Sequence, residues 1–169
     1  MKKKRLIALI LSLLLALTAA CGAVETAAPA RQAVPTSPAA GTPAGVDLPE
    51  YGEYYYDLEN VVLYLYVYGE LPPNYITKQE ARDLGWEGGS VEDYLEGAAI
   101  GGDRFGNREG LLPEASGRAY TECDIDTDGY GSRGARRLVF SNDGLYFYSS
   151  DHYESFDEVT VTDDYEVIW

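Results

Sequence analysis

Residues 137–148 have the sequence RLVFSNDGLYFY, in which two largely apolar runs flank the turn tripeptide Asn142-Asp143-Gly144. Such a tripeptide between two alternating segments is a strong signal for an antiparallel hairpin. We therefore predict two paired strands, one from Arg137 to Ser141 and the other from Leu145 to Tyr148. An antiparallel sheet is thus expected in the C-terminal half of the chain.

A third strand is predicted from Arg118 to Ile125, where polar and apolar residues alternate. Because successive side chains of a strand point to opposite faces, Glu122 lies on one face and Cys123 on the other. In the hairpin the same rule separates Arg137 from Leu138, which faces the core. We therefore expect a polar face with Glu122 and Arg137, while Cys123 is buried as a small apolar side chain.

Helical signals precede these strands. Asp57 is a typical N-cap for a helix that extends to about Tyr68. Thr77-Lys78-Gln79-Glu80 forms a capping box that opens a second, short helix ending at Gly85. A third helix is predicted over residues 90–95. Short helices followed by an antiparallel sheet make an α+β domain.

The N-terminus has the pattern of an export signal. Residues 1–5 are cationic, and residues 6–20 form an apolar run of fifteen residues, too short to span a bilayer. Cys21 follows at the position that is lipidated in bacterial lipoproteins, but ordinary cleavage after Ala20 fits the small residues there as well. Both routes place the mature protein outside the cytoplasm, secreted or tethered to the outer face of the membrane.

Residues 22–48 are rich in Ala, Pro, Thr and Gly and contain few large apolar side chains. Such a segment cannot repay the entropy of ordering, so we predict a disordered tether. The folded domain is therefore expected to comprise residues 49–169, which is enough for one domain.

The charge balance excludes some classes of protein. The chain has 13 Lys and Arg against 28 Asp and Glu, a net charge of −15. A histone-like or generic nucleic-acid coat protein would need a basic surface. An enzyme that gathers its few cations in one cleft is still compatible with this charge.

Metal sites are poorly supported by the sequence. The chain has one histidine and two cysteines, too few for a multi-histidine or cysteine-rich zinc site. Residues 124–129 imitate the start of an EF-hand loop, but position twelve is Ala135 rather than a bidentate glutamate. We therefore expect no metal and no other cofactor.

Three motifs, in order along the chain, carry a family resemblance. They are LPPNYITK at residues 71–78, IGGDRFGNREG at residues 100–110 and SDHY at residues 150–153. With this spacing the chain resembles the barnase/binase family of secreted, guanine-preferring microbial ribonucleases over about residues 55–160. The resemblance implies the microbial ribonuclease fold and endoribonuclease activity. Residues 160–169 lie outside it.

The resemblance also implies a set of catalytic residues. RNA cleavage without a metal needs a base for the 2′-OH proton, an acid for the departing 5′-oxygen and cations around the phosphorane. Glu122 matches the general base of the family and His152 its general acid. The matching phosphate-binding cations are Lys78, Arg133 and Arg137.

Guanine recognition is expected in one loop, and the residues that match it in the family are Phe105, Gly106, Asn107, Arg108 and Glu109. In the family, backbone N–H groups of this loop bind O6 and N7 of the base, and the glutamate accepts from N1–H and N2–H₂. This pattern distinguishes guanine from adenine. Tyr153 matches an aromatic residue on which the base stacks.

The resemblance implies single-stranded RNA as the substrate and an intracellular barstar-like inhibitor in the producing cell. We expect a monomer whose contact with a membrane is limited to a lipid on Cys21. The alternative function is a catalytically inactive, envelope-tethered binding module of the same fold.

Overall fold

The computed structural model describes residues 46–128 and 131–169. The predicted signal peptide, Cys21 and most of the predicted tether lie outside these residues. The elements in chain order are α1 (Leu58–Tyr68), β1 (Tyr75–Ile76), α2 (Lys78–Asp83), β2 (Ala99–Phe105), β3 (Tyr120–Asp124), β4 (Arg137–Ser141), β5 (Tyr146–Ser149), β6 (Asp157–Val161) and β7 (Val167–Ile168).

The seven strands form one sheet in sequence order. Only the β1–β2 pair is parallel, with α2 in the connection, and every other neighbouring pair is antiparallel. The predicted α+β class is therefore confirmed. Within residues 46–128 and 131–169, no helix is long and apolar enough to cross a membrane.

The first two predicted helix starts are confirmed. The Asp57 carboxylate accepts a hydrogen bond from the backbone N–H of Asn60 (3.0 Å) at the start of α1. Gly69 ends this helix in the left-handed region, with φ of 74°. At α2 the Thr77 and Glu80 side chains each accept the other's backbone N–H, so the capping box is complete.

The predicted third helix over residues 90–95 is wrong. The segment makes one turn, in which the N–H of Leu95 donates to the carbonyl of Val91 (3.0 Å). Gly97 then reverses the chain with φ of 71°, and β2 begins at Ala99. The start signal is therefore present, but too few residues follow it to propagate a helix.

The hairpin is confirmed with a shift of one residue in its second strand. Leu145 belongs to the turn, because its N–H donates to the Ser141 hydroxyl (2.9 Å) and its carbonyl accepts from the N–H of Ser141 (2.8 Å). Strand β5 therefore starts at Tyr146.

One face of the sheet packs against α1. Cys123, Leu138 and Val159 on the strands lie in one buried cluster with Val61 and Val62 of the helix. Burial raises the pKa of the Cys123 thiol well above its ordinary value. The predicted core-facing sides of β3 and β4 are thus confirmed, and Cys123 is a packing residue.

The opposite face carries a second cluster and the charged residues. Buried apolar side chains from strands and loops pack there, and they are Leu112, Tyr120, Val139 and Phe147, joined by the partly buried Phe105, Tyr153 and Phe156. These aromatic side chains bring the loops after β2 and β5 onto this face.

A bulge in β2 sets the register next to Glu122. Gly101 pairs with Cys123, but Asp103 pairs with Glu122, so Gly102 is the extra residue, at φ of 91°. A Cβ at Gly101 would lie 2.6 Å from the Cβ of Cys123, which leaves no room for a side chain. The bulge therefore places the Asp103 backbone directly opposite Glu122.

Residues 160–169, which lie outside the resemblance, complete the sheet. Strand β7 pairs with β6, and Val161 and Val167 pack on the α1 core. The ring of Tyr165 contacts that of Tyr66 edge to face, 6.0 Å apart. The C-terminal segment therefore extends the packing of the α1 face.

Candidate active site

Glu122 lies on β3 and is held by residues from two other elements. Its side chain is buried, with 7% of the residue exposed. Lys78, the first residue of α2, contacts carboxylate oxygen Oε1 through Nζ, and the Tyr153 hydroxyl donates to Oε2. The backbone N–H of Lys78 donates to Asp103 (2.8 Å), which fixes α2 to β2. Both oxygens of Glu122 are therefore oriented.

Tyr153 has more contacts than the predicted stacking role requires. Burial, followed by the hydrogen bond to Glu122, raises the pKa of its hydroxyl far above the ordinary value. The phenol therefore stays protonated and donates to the carboxylate. Its ring lies 5.2 Å from that of Phe105, tilted by 33°. Tyr153 thus joins the recognition loop to Glu122, and its contact with Glu122 was not predicted from the sequence.

Asp124 is the centre of a buried ion-pair network that the sequence analysis missed. Its residue is 1% exposed. Arg133 makes two hydrogen bonds to it, from Nε to Oδ2 (2.6 Å) and from Nη2 to Oδ1 (2.8 Å). The Nε of Arg137 lies 3.1 Å from Oδ1 without hydrogen-bond alignment. Because side chains alternate along a strand, the sequence predicts that Asp124 lies on the same face of β3 as Glu122. This alternation is the one sequence signal that pointed to Asp124.

The two arginines differ in exposure. The Arg137 side chain is 2% exposed, and its Nη1 and Nη2 donate to carbonyls of the loop at residues 133–136. The Arg133 side chain is 20% exposed, and its guanidinium carbon lies 5.7 Å from the Trp86 ring centroid. Burial by itself lowers the pKa of Arg133, but the ion pair with Asp124 raises it above its ordinary value. The Arg133 guanidinium is thus partly exposed to solvent, whereas that of Arg137 is buried against the loop that carries Arg133.

His152 lies on the loop after β5, beside Tyr153. Both residues adopt positive φ, 61° for His152 and 76° for Tyr153. The imidazole is exposed, and its centroid lies 4.9 Å from the Tyr153 ring. The backbone N–H of His152 donates to the carbonyl of Ala135 (3.0 Å), so this loop is fixed to the arginine loop.

Asn107 shapes the loop at residues 105–109, where guanine recognition was predicted. This residue has φ of 44°, and its side-chain amide pairs with the backbone of Leu112, with one bond of 2.9 Å and another of 3.0 Å. Arg108 and Glu109 are exposed at the tip of the turn. Asn107 therefore orders the loop with its side chain, and Glu109 is exposed to solvent beside it.

The loop and Glu122 line one cleft of about 500 Å³. Its lining residues are Arg104, Phe105, Gly106, Asn107, Arg108, Glu109 and Glu122. The predicted recognition residues 105–109 and the predicted general base therefore share a single cavity. Its lining does not include the other predicted site residues, which are Lys78, Arg133, Arg137, His152 and Tyr153. A ligand bound in the loop can reach Glu122 without crossing the protein.

A sequence model of the ribonuclease family matches residues 64–160. The ribonuclease of Bacillus intermedius is 47% identical over 103 residues, which are 60% of this chain and 63% of that protein. The ribonuclease of Heyndrickxia coagulans is 48% identical over 100 residues, 58% of this chain and 91% of the relative. Guanyl-specific ribonuclease St of Saccharopolyspora erythraea is 49% identical over 55 residues, 32% of this chain and 54% of the relative.

The chain thus spans less than two thirds of the Bacillus relative but nearly all of the Heyndrickxia protein. The family match covers more than half of the chain and includes Lys78, Glu122, Arg133 and His152. The matched segment extends from within α1 to β6 and so contains almost the whole sheet. The chain belongs to the ribonuclease family, among the barnase/binase-like microbial ribonucleases.

Proposed function

We propose that this protein is an endoribonuclease that cleaves single-stranded RNA after guanosine, through a 2′,3′-cyclic phosphate that it then hydrolyses. The observation that carries this proposal is the shared cleft, which is lined both by Glu122 and by the loop at residues 105–109. Relatives named ribonuclease and guanyl-specific ribonuclease support the same substrate class.

In the first step Glu122 takes the proton of the 2′-OH, and the 2′-oxygen forms a bond to phosphorus. The bond from phosphorus to the 5′-oxygen breaks, and His152 in its imidazolium form gives a proton to that oxygen. In the second step water attacks the cyclic phosphate, with His152 as base and Glu122 as acid. Each proton transfer by a positioned side chain contributes about 10²- to 10⁴-fold to the rate.

The phosphorane carries extra negative charge, which preorganised cations stabilise. Lys78 contacts Glu122 and is therefore adjacent to the reacting 2′-oxygen. Arg133 is fixed by Asp124 in a direction set before substrate binds. Arg137 adds buried positive charge beneath this loop. We assign the cationic role to these three residues, with Arg133 as the arginine that touches the phosphate.

Guanine selection is assigned to the exposed Glu109 carboxylate and to backbone N–H groups of residues 105–109. A carboxylate accepts from N1–H and N2–H₂ of guanine, whereas adenine offers a different pattern on the same edge. Phe105 lines this cleft, and the Tyr153 ring packs against Phe105 from behind the lining. Stacking of single-stranded bases on aromatic side chains is the common arrangement in RNA recognition.

We also propose that the protein is exported, secreted or tethered by a lipid on Cys21, and acts as a monomer. The support is the sequence of residues 1–21. Mass spectrometry of the mature N-terminus distinguishes a diacylglyceryl-modified Cys21 from a free Cys21. A mature chain that retains residues 1–20 would contradict export by this signal.

The function is tested with the purified protein, RNA and excess EDTA. We expect cleavage after guanosine and transient products with a 2′,3′-cyclic phosphate, detected by mass spectrometry. A polymer without guanine serves as the control and should be cleaved far more slowly. RNA binding without cleavage would support the inactive binding module, and strict dependence on a divalent ion would contradict the proposed acid–base mechanism.

A further inference from the structure

Two turns of the sheet share one pattern of hydrogen bonds, and the second turn begins eight residues after the first. They are Ser141-Asn142-Asp143-Gly144-Leu145 after β4 and Ser149-Ser150-Asp151-His152-Tyr153 after β5. In each turn the serine hydroxyl donates to the aspartate two residues later, at 2.6 Å and 2.9 Å. The same serine oxygen accepts the backbone N–H four residues later, at 2.9 Å and 2.8 Å.

The two turns differ in the residue at their fourth position, which has a positive φ in both turns. The first turn has Gly144 there, at φ of 90°, and the second has His152, at φ of 61°. Glycine adopts this region without a penalty, but a side chain on Cβ makes it unfavourable. The second turn therefore holds the proposed general acid in a conformation that its neighbours must enforce.

Asp151 supplies the additional restraint in the second turn. Besides the Ser149 hydroxyl, it accepts the backbone N–H of Ser155 (2.9 Å) and the Ser155 hydroxyl (2.6 Å). These hydrogen bonds, those from Ser155 first, lower its pKa to about 2. Ser149 is 1% exposed, so the turn is anchored at the sheet. The carboxylate thus closes the loop on both sides of His152 and stays ionised at neutral pH.

We propose that Asp151, together with Ser149, is a positioning residue that holds His152 in its productive orientation for proton donation to the leaving 5′-oxygen. This proposal rests on the assignment of His152 as general acid. Asp151 acts through the backbone of the turn and does not touch the substrate.

The test compares two substrates with the full chain and its Asp151→Asn variant. Guanylyl-3′,5′-uridine needs a proton on its leaving oxygen, whereas guanosine 3′-(p-nitrophenyl phosphate) releases a stable phenolate without one. We expect kcat for guanylyl-3′,5′-uridine, divided by kcat for the p-nitrophenyl ester, to fall about 10-fold in the variant. Misplacement of a catalytic group by about 1 Å can cost up to 10²-fold in rate. KM for both substrates should change little.

The matched control is Asp143→Asn, which removes the equivalent carboxylate from the glycine turn and with it the ion pair to Arg118. It should leave the kcat ratio at the wild-type value. An equal fall of both kcat values in Asp151→Asn, or no fall in either, would overturn the positioning role. If Asp151→Asn does not fold, Ser149→Ala replaces it, and the same fall of the kcat ratio is expected.

A second measurement does not depend on turnover. His152 is the only histidine, so its imidazole C2–H gives a single NMR signal in an untagged chain. In the folded Asp151→Asn variant we expect this signal to shift or broaden, while Asp143→Asn leaves it unchanged. An unaltered signal would overturn the proposal. A wild-type protein that cleaves neither substrate would instead contradict the proposed function, and the NMR comparison would still decide whether Asp151 orders His152.

Discussion

The two faces of the sheet use neighbouring residues of the same strands in opposite ways. On the face toward α1, Cys123 and Leu138 are almost completely buried among apolar side chains. On the other face, Glu122, Asp124 and Arg137 are nearly as buried but charged. The apolar face gains stability from burial alone, whereas the charged face needs a partner for each group. Alternate residues of the same strands therefore form the apolar core on one face and the candidate site on the other.

The buried charges of the second face carry a cost in stability. Desolvation of a buried ion pair often exceeds its Coulombic gain, so such a pair is weak support for a fold. Among the described residues, the buried Nε of Arg137 has no aligned hydrogen-bond acceptor, although Oδ1 of Asp124 lies 3.1 Å away. An unsatisfied buried donor costs about 1–3 kcal/mol. The proposed contact of Arg133 with the substrate phosphate would benefit from this arrangement, because Asp124 orients the guanidinium in advance.

The largest expected effect comes from breaking this network with Asp124→Asn. Arg133 and the buried Arg137 then lose their shared carboxylate, and removal of one partner of a buried pair costs about 3–5 kcal/mol. Urea denaturation should show a fall of this size in the free energy of unfolding. The control is Asp126→Asn, whose partner Arg136 has a side chain 56% exposed, and it should cost at most about 1 kcal/mol. Equal losses of unfolding free energy in the two variants would contradict a larger contribution of the buried network to stability.

The next effect separates the two faces at adjacent positions of β3. Glu122→Ala should lower kcat by about 10²-fold or more, because it removes the proposed general base. Cys123→Ala lies on the α1 face and should leave kcat nearly unchanged while the free energy of unfolding falls by roughly 1 kcal/mol. Steady-state kinetics and thermal unfolding of both variants check this. Near-normal turnover of a folded Glu122→Ala protein would remove Glu122 from the base role.

Local signals in the sequence predicted much of this arrangement. Caps and turns depend on a few neighbouring residues, so Asp57, the Thr77 capping box and the turn at Asn142 could be located directly. Strand alternation likewise predicted which side of β3 faces the core. These features require no knowledge of which distant segments meet.

Features that depend on distant contacts were missed. Strands β1 and β7 have two residues each and exist because they pair with neighbours, not because of their own propensity. The hydrogen bond from Tyr153 to Glu122 joins residues 31 positions apart. The role of Asp124 required the position of Arg133, which comes from a loop. Tertiary structure, and not the local pattern, fixes each of these.

A smaller effect is expected from Glu109→Ala, which changes the base-recognition end of the cleft but not its catalytic end. A good bidentate contact discriminates against the wrong base by about 1–3 kcal/mol. The ratio of kcat/KM for guanine and adenine dinucleotides should fall accordingly. Glu114→Ala, on the same loop but outside the cleft lining, should leave this ratio unchanged. If both variants keep the wild-type ratio, guanine is selected elsewhere.

The smallest effect concerns the contrast between the cleft and the rest of the surface. Residues 49–169 contain 8 basic and 26 acidic residues, a net charge of −18, so the domain should repel RNA at long range. Lys78, Arg108 and Arg133 attract phosphate only at short range. Because the Debye length falls from about 30 Å at 0.01 M salt to about 10 Å at 0.1 M, added salt removes the distant repulsion first. We expect kcat/KM on polymeric RNA to stay level or rise up to moderate salt and to fall afterwards. A steep fall from the lowest salt, as in counterion release by a basic protein, would show that the cleft alone governs encounter.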